Sequence, residues 1–405
     1  MNTRIDASFL FFISLLSMLY LWASDMYLPA FNDMSISMQA TKAEIGYSLS
    51  IYFLAFSFSQ VFFGAISDQV GRKPMLLIGS IIFIFGSSIC MLSSNIGMFY
   101  FGRVLMAIGA CSAFVLWQAM IIDVERDPGK IQRTFAFVYM LLGLSPAIAP
   151  VVGGILSSYI SWKYIFLMLS LYGVMIFGLT CFYYKETLKR DSSFGAHKFN
   201  VSKLTSDYKA LFDNRRFLSM ALMIGVLCGI YMTYITLVPF IFGNLGLSNG
   251  LIGLSLLPIA ITFVIGTRVA VYLTKFTSPE NIILLGVVVS VIPCGTIFYL
   301  SIFTEITGAA YLIFPMMLIT FCNGLSIPFG MATLVKENED IAGTCSSFLG
   351  FFIAIVPFIF VSIGSKFIEL HGTKVLGMIL LSSILLALFL GYLSERFKQE
   401  FIESV

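Results

Sequence analysis

Two ionisable residues, Asp25 and Arg103, lie inside apolar stretches that are long enough to cross a membrane. Asp25 comes about four to seven residues before the first stretch ends, and Arg103 comes about six residues after the fourth begins. At 1.5 Å per residue, both lie roughly 10 Å below the same membrane surface. A charge at such depth costs roughly 2.5–3.5 kcal/mol, so each side chain needs a partner or water. We therefore expect the two side chains to meet.

A buried carboxylate beside a guanidinium can take up and release a proton. Burial favours the neutral form of an acid and a nearby cation favours its charged form, so their separation controls how tightly the proton is held. We expect Asp25 to exchange a proton and Arg103 to tune its proton affinity. The alternative is a purely structural ion pair that fixes the first span against the fourth.

A second group of charges lies in the run GAISDQVGRKP, between the second and third apolar stretches. Its notable residues are Gly64, Asp68, Gly71, Arg72 and Lys73. Asp68 can accept from Arg72 or from a helix N-terminus and so close the inner side as a gate. Asp123, in the next inner loop, is a further acceptor for the same bases. The alternative is an ordinary basic cytoplasmic loop.

The composition places these residues in a membrane. Hydrophobic residues make up 59% of the 405-residue chain and charged residues 11%, and the mean hydropathy is +0.95. A soluble fold of this length needs more polar surface. The net charge of +3 comes from bases spread through the loops, so nucleic acid is not an expected partner. We expect an all-α membrane protein embedded in a lipid bilayer.

Twelve apolar stretches have the length that a transmembrane helix needs. They cover approximately residues 8–31, 44–66, 74–93, 97–122, 133–157, 162–184, 216–242, 250–273, 281–303, 307–331, 342–367 and 373–394. Most Lys and Arg residues fall in the loops on one side, which is then the cytoplasmic side. An even number of spans places both termini there. The first stretch has no small-residue cleavage site, so we expect it to remain as a span.

A longer basic loop, residues 185–215, divides the spans into two sets of six. Within it Leu204, Tyr208, Leu211 and Phe212 recur at helical spacing, which predicts an amphipathic helix on the inner membrane surface. A disordered basic tether is the alternative. The expected domains are two six-helix bundles, residues 1–184 and 216–405, joined by this cytoplasmic linker.

The fifth stretch is rich in glycine and proline. The residues are Gly143, Pro146, Pro150, Gly153 and Gly154. Small residues permit close helix contact and proline frees a carbonyl, so this helix can bend or pack tightly against a span of the other half. The alternative is that a membrane helix merely tolerates these residues.

Two sets of six spans, with GAISDQVGRKP between the second and third, resemble the major facilitator superfamily. Further segments are similar to its Bcr/CflA-type drug:proton antiporters. They are DMYLPAF (25–31), GRVL (102–105), PAIAPVVGG (146–154), WKYIF (162–166), KETL (185–188) and AGTCSSFLG (342–350). The resemblance implies the major facilitator fold, alternating access, and a Pro/Gly segment that keeps the cavity from leaking. The chain departs from the family where Met106-Ala107 replaces Gln-Gly and Ile122 replaces Arg.

Aromatic and polar residues in otherwise uncharged spans are candidates for contact with a substrate. They are Tyr20, Trp117, Gln118, Tyr231, Tyr234 and Asn323. Aromatic walls with a few hydrogen-bonding groups suit amphiphilic or planar molecules, although each residue could serve packing alone. Because Asp25 is the only acid deep in the first-half spans, neutral or weakly charged compounds fit better than strong cations.

The sequence offers no support for an enzyme. No G-x-x-x-x-G-K-[ST] loop is present, so the chain cannot use nucleotide hydrolysis. The seven cysteines stand singly, and His197 and His371 lie in loops on opposite faces, so no metal or other cofactor is expected.

These observations together predict a monomeric, proton-coupled antiporter of the bacterial inner membrane. It would export small amphiphilic compounds, drugs or related metabolites, in exchange for protons. The alternatives are an exporter of a physiological metabolite or siderophore with the same fold, and a gradient-independent facilitator or receptor.

Overall fold

The computed structural model describes residues 7–125, 128–186, 201–338 and 341–404, and most of them are helical. In this part of the chain fifteen α-helices follow one another, with a 3-10 helix, Leu28–Ala30, after the first. They are α1 Ala7–Asp25, α2 Phe31–Met38, α3 Lys42–Val70, α4 Arg72–Leu92, α5 Ile96–Val124, α6 Pro128–Tyr159, α7 Lys163–Phe182, α8 Val201–Asp213, α9 Arg215–Asn244, α10 Asn249–Leu273, α11 Pro279–Val289, α12 Val291–Phe303, α13 Ala310–Glu337, α14 Ala342–His371 and α15 Thr373–Ser404.

Ten helical segments among the described residues are long and apolar enough to cross a membrane. They are α1 with α2, α4, α5, α7, α9, α10, α11 with α12, α13, most of α14 and most of α15. Helices α3 and α6 run along the second and fifth predicted spans. Large apolar side chains such as Phe85, Phe182 and Ile292 are exposed on the outside, as a lipid environment requires. The predicted all-α membrane fold is confirmed.

The chain divides into two compact units. Unit 1 comprises Met1–Thr41, Ile51–Phe199 and Asn249–Gly253. Unit 2 comprises Lys42–Ser50, Asn200–Ser248 and Leu254–Val405. Helices α3 and α10 therefore each contribute residues to both units.

The first span is interrupted, whereas the sequence predicted one continuous stretch over residues 8–31. Helix α1 ends at Asp25, and the chain continues through Met26 and Tyr27 into the 3-10 helix and α2. Pro29 explains the interruption, because it has no N–H to donate and disfavours helical geometry in the residue before it. The break leaves carbonyl groups at the end of α1 without helical partners.

The ninth predicted span, residues 281–303, is also divided. Helix α11 ends at Val289 and α12 begins at Val291. The Ser290 hydroxyl donates to the Gly286 carbonyl at 2.8 Å, and Pro293 has no N–H to offer the Val289 carbonyl. Both effects weaken the helix at this point.

Helix α8 lies where the sequence predicted an amphipathic helix. Its Leu211 is buried, and the Tyr208 ring lies 5.5 Å from the ring of Phe348 in α14. Phe212 is exposed, and the side chain of Leu204 lies outside the described residues. One face of α8 therefore packs on α14 within unit 2.

Helices α4 and α5 pack so closely that only glycine fits at their crossing. A Cβ on Gly86 would lie 2.5 Å from the backbone nitrogen of Met106, and one on Gly109 would lie 2.5 Å from that of Phe83. Glycine pairs of this kind let membrane helices touch backbone to backbone. The contact fixes the position of α5, which carries Arg103.

Candidate functional site

Arg103 is fully buried and reaches the carboxyl end of α1. Its Nη1 donates a hydrogen bond to the Ala23 carbonyl oxygen at 2.7 Å. That carbonyl is among the last four of α1, which lack partners within the helix. The interruption after Asp25 therefore supplies the acceptor that holds Arg103.

Two tyrosine rings lie against the guanidinium group of Arg103. The Arg103 Cζ atom is 4.3 Å from the ring centroid of Tyr27 and 4.3 Å from that of Tyr52. Both rings are fully buried. A desolvated contact between a cation and an aromatic face contributes about 2 kcal/mol. The rings therefore stabilise the buried cation without a carboxylate.

Asp25 is buried beside this group, with only 1% of its surface exposed. Its Oδ1 accepts a hydrogen bond from the Ser24 hydroxyl at 2.6 Å. Its Oδ2 has no hydrogen-bond partner, and neither do Nε and Nη2 of Arg103. One carboxylate oxygen and two guanidinium donors thus remain unpartnered in one buried region.

The structure brings Asp25 and Arg103 to neighbouring helices, but it does not join them in an ion pair. Helix α1 packs against α5, as the depth argument required. The expected side-chain contact is replaced by the bond from Arg103 to Ala23, two residues before the acid. The physical reason is that the Ala23 carbonyl and the two tyrosine rings already satisfy part of the guanidinium group.

Gly153 of α6 supports the interruption in the first span. A Cβ on Gly153 would lie 1.6 Å from the Met26 carbonyl oxygen. The backbone of α6 therefore touches the backbone of the bend, one residue after Asp25. This close contact explains why position 153 of the predicted Pro/Gly segment is a glycine.

The other members of that segment lie on a continuous helix. Pro146 and Pro150 are inside α6, and Gly143 belongs to α6 but its surroundings lie outside the described residues. A Cβ on Gly154 would lie 2.5 Å from the Asn249 carbonyl oxygen. Helix α6 thus packs tightly against the first turn of α10, which groups with unit 1.

Arg72, the first residue of α4, contacts both α3 and α5 at the junction of α3 and α4. Its Nε lies 3.1 Å from Oδ2 of Asp123, and its Nη1 donates to the Ser67 hydroxyl at 2.6 Å. Gly64 and Asp68 belong to α3, and their surroundings lie outside the described residues. Asp123 and Ser67 are thus two acceptors of the Arg72 side chain.

Glu186 also belongs to this junction, a role that its place in the sequence does not predict. Its two carboxylate oxygens accept from the backbone N–H groups of Arg72 and Lys73, each at 3.0 Å. Lys73 in turn donates through Nζ to the carbonyls of Cys181 and Tyr184, at 3.0 and 2.8 Å. An acid thus caps the start of α4 and a base caps the end of α7, each where the helix dipole favours it.

Gly71 makes this reciprocal cap feasible. Its φ of +111° lies in a region that other residues rarely adopt, and a Cβ would lie 2.6 Å from Oε2 of Glu186. The spacing of Gly71, Arg72 and Lys73 is a sequence signal of this turn. The partner Glu186 is far away in sequence and could not be inferred from it.

The substrate-contact candidates of unit 1 are largely packed. The Tyr20 ring stacks on Phe56 with centroids 4.5 Å apart. Trp117 is fully buried with its ring 5.3 Å from Phe135, and Gln118 is half-buried. In this conformation Trp117 has no exposed surface for a substrate.

The candidates of unit 2 include two buried polar groups. Asn323 donates through Nδ2 to the Leu227 carbonyl at 3.3 Å, whereas its Oδ1 has no partner. The Tyr234 hydroxyl is fully buried and has no partner either. Tyr231 is half-buried. No group of three metal-ligating side chains occurs in the described ranges.

A family model described as Major Facilitator Superfamily matches residues 13–361. The chain belongs to this superfamily. Multidrug resistance protein D of Escherichia coli K12 is 25% identical to it over 336 residues, 81% of each chain. Multidrug resistance protein MdtL of Shewanella oneidensis is 24% identical over 340 residues, 83% of each chain. The predicted resemblance to drug exporters of the superfamily is confirmed.

Solved structures support the fold of this superfamily member. A bacterial homologue of the human lysosomal transporter Spinster matches with a TM-score of 0.77 and 11% identity, over 98% of this chain and 97% of that one. A D-xylose-proton symporter matches with a TM-score of 0.68 and 14% identity, over 94% and 96%. Membership of the superfamily indicates a small-molecule membrane transporter.

We expect Glu186→Gln to lower the stability of this superfamily member by roughly 0.5–1 kcal/mol, because the amide has one acceptor oxygen where two N–H groups need acceptors. Thermal unfolding of the detergent-purified protein measures the change. Glu305→Gln is the matched control, since Glu305 is an exposed loop residue. Equal melting temperatures for Glu186→Gln and the control would contradict the capping role.

Proposed function

We propose that this superfamily member is a proton-coupled antiporter that exports small amphiphilic compounds by alternating access. The observation that supports it most directly is the unpartnered Oδ2 of buried Asp25 beside the unpartnered Nε and Nη2 of Arg103. A buried acid that no cation neutralises can hold a proton, and a cation that moves towards it can expel that proton. Ionisable residues inside membrane helices commonly form proton pathways.

Coupling requires that a proton and a substrate favour different conformations of the protein. In our proposal, Asp25 holds its proton while Arg103 is bound to Ala23, and releases it when Arg103 approaches. The pair of Arg72 and Asp123 acts as the latch of the inner gate, together with Gly64, Asp68, Gly71 and Lys73. The side chains of Arg72 and Asp123 are only 9% and 18% exposed, so the latch opens when water or another acceptor replaces Asp123.

The export direction and the substrate class rest on the relatives and on the spans. The relatives named above are called multidrug resistance proteins. The candidate contact residues Tyr20, Trp117, Gln118, Tyr231, Tyr234 and Asn323 offer aromatic faces and uncharged hydrogen-bonding groups. Neutral or weakly charged amphiphiles match this chemistry better than strong cations.

We further propose that the protein acts as a monomer in the bacterial inner membrane, with both termini in the cytoplasm. The relatives are bacterial, and the distribution of Lys and Arg between the loops supports this orientation.

The test is transport by the purified protein in liposomes that contain a pH-sensitive dye. With the lumen acidic, the neutral dye Nile red should accumulate in the lumen while protons leave it, and a protonophore should stop both. Ethidium, a cation of similar size, should be transported more slowly. Protonophore-resistant flux down the Nile red gradient would instead identify a gradient-independent facilitator, and binding without flux would identify a receptor.

A further inference from the structure

We propose that Tyr27 and Tyr52 form an aromatic clamp that positions Arg103, and that this clamp sets the proton affinity of Asp25. The inference rests on the proposed function in that Asp25 is the coupling acid. In this proposal two uncharged side chains hold the Arg103 guanidinium in place, as a carboxylate would in an ion pair.

The clamp is built from two separate elements of unit 1. Tyr27 lies in the bend after α1, and Tyr52 lies on α3. Both ring centroids are 4.3 Å from Cζ of Arg103, a distance at which the negative face of a ring attracts a cation. Because the two rings come from different elements, a movement of either one changes the surroundings of the guanidinium group.

Each ring is itself held in place. The Tyr52 hydroxyl donates to the Tyr20 carbonyl at 3.1 Å, which ties α3 to α1. The Tyr27 ring packs against Phe31 and Phe166, with centroids 5.0 and 5.7 Å away. The rings are therefore preorganised for Arg103 and do not merely fill space near it.

The clamp decides which acceptor the guanidinium reaches. It holds Nη1 on the Ala23 carbonyl and leaves Nε and Nη2 without partners, while Oδ2 of Asp25 also lacks one. If a ring is withdrawn, the cation loses stabilisation and the nearby free carboxylate oxygen becomes its best acceptor. A rearrangement that displaces α3 would therefore bring Arg103 to Asp25 and release the proton.

Helix α3 is suited to carry such a signal. The division between the units passes between Ser50 and Ile51, so that Tyr52 is the second residue of the unit 1 part of α3. A displacement of α3 during transport would act directly on Tyr52.

Uncharged titratable side chains also lie against Asp25, Arg103 or the clamp. They include Tyr20, Cys90 and Cys111. Burial and the Ser24 hydrogen bond act on Asp25 from fixed positions, so Arg103 is the charged group whose movement would change the proton affinity of the acid.

The experiment follows the protonation of Asp25 by infrared spectroscopy of the purified protein in lipid nanodiscs. The Asp25 carboxylic-acid band is identified as the one that disappears in Asp25→Asn, and it is titrated with pH. In Tyr52→Leu and Tyr27→Leu we expect its midpoint to move by about 1 pH unit towards acid, because an approaching cation favours the charged form by this order. Tyr52→Phe and Tyr27→Phe keep the ring and should titrate as the wild type does.

Two further comparisons distinguish the loss of the ring–cation contact from a general loosening of the packing around Arg103. Phe99 is a buried ring that packs against Tyr27 without being paired with Arg103, so Phe99→Leu should leave the midpoint unchanged. Fluorinated phenylalanines at position 52 weaken the ring face with little change of shape, so the midpoint should move stepwise with each added fluorine even if the leucine variants fail to fold. Unchanged midpoints in the fluorinated series, or an equal shift in Phe99→Leu, would overturn the clamp.

This titration needs neither substrate nor transport. If Nile red transport proves independent of protons but the titration shows the expected shifts, the proposed antiport is wrong and the clamp stands. If transport is proton-coupled and the midpoints do not move, the clamp alone is refuted.

Discussion

Asp25→Asn is expected to abolish proton-driven transport and to leave the protein folded. Asparagine has nearly the same shape and can accept the Ser24 hydrogen bond through its amide oxygen, so packing at the end of α1 is retained. It cannot carry a proton at any pH near neutrality. Removing a buried carboxylate that has no ion-pair partner should also cost little stability, because no buried cation loses a salt bridge.

The measurement compares Nile red accumulation in acidic-lumen liposomes with binding of the same dye to detergent-purified protein. In Asp25→Asn, accumulation should fall to the level of protein-free liposomes, while binding and the melting temperature stay near their wild-type values. Asp33→Asn makes the same chemical change on α2, where the side chain is exposed and its amide oxygen can still accept from Nδ2 of Asn249, so this variant should transport normally. Concentrative, protonophore-sensitive accumulation by Asp25→Asn would rule out the coupling role.

A small displacement of Arg103 can supply the free energy needed to change the proton affinity of Asp25. A tenfold change in proton affinity corresponds to about 1.4 kcal/mol. Two unit charges about 4 Å apart interact by about 4 kcal/mol at an effective dielectric constant of 20. Arg103 already lies near the acid, so moving it from the Ala23 carbonyl towards Oδ2 of Asp25 adds only part of this energy. About a third of it changes the proton affinity about tenfold, which is enough for coupling.

Sequence periodicity and hydropathy predicted the spans and the depth of the two ionisable residues. Depth along a helix follows from counting residues at a fixed rise, so the proximity of α1 and α5 at Asp25 and Arg103 could be inferred. The contact itself could not, because it depends on how α1 is interrupted near Pro29 and on which carbonyl that interruption frees. The acceptor on Ala23 is a backbone atom, and it carries no signal in the sequence.

The aromatic clamp on Arg103 and the Glu186 cap of α4 could not be predicted from the sequence, for a different reason. Tyr52 is one of 18 tyrosines in an apolar chain, and nothing in its neighbourhood distinguishes it from an ordinary packing or interfacial residue. Glu186 follows a span end, where an exposed acid is unremarkable. Only the tertiary arrangement shows that one meets a buried cation and the other meets the first N–H groups of α4.

Gly153→Ala is expected to have the second large effect, because it forces the backbone of α6 away from the bend that holds Asp25. The added methyl would lie 1.6 Å from the Met26 carbonyl oxygen and 3.1 Å from Cγ of Met26. A side chain could turn aside, but this carbonyl belongs to a backbone that is tied to Trp22 by the Met26 N–H and continues into Tyr27. We expect a loss of stability of about 1–3 kcal/mol or more and severely reduced transport.

Gly178→Ala in α7 and Gly295→Ala in α12 are the matched controls, because a Cβ at either position meets no atom within 4 Å. Alanine favours a helix by about 1 kcal/mol over glycine, so both controls should be neutral or slightly stabilising. Melting temperature and Nile red transport are measured for all three variants. The infrared titration of Asp25 adds a readout of the site, since a displaced bend moves Tyr27 and Ala23 away from Arg103. Wild-type stability and an unchanged Asp25 midpoint in Gly153→Ala would show that α6 does not support the bend.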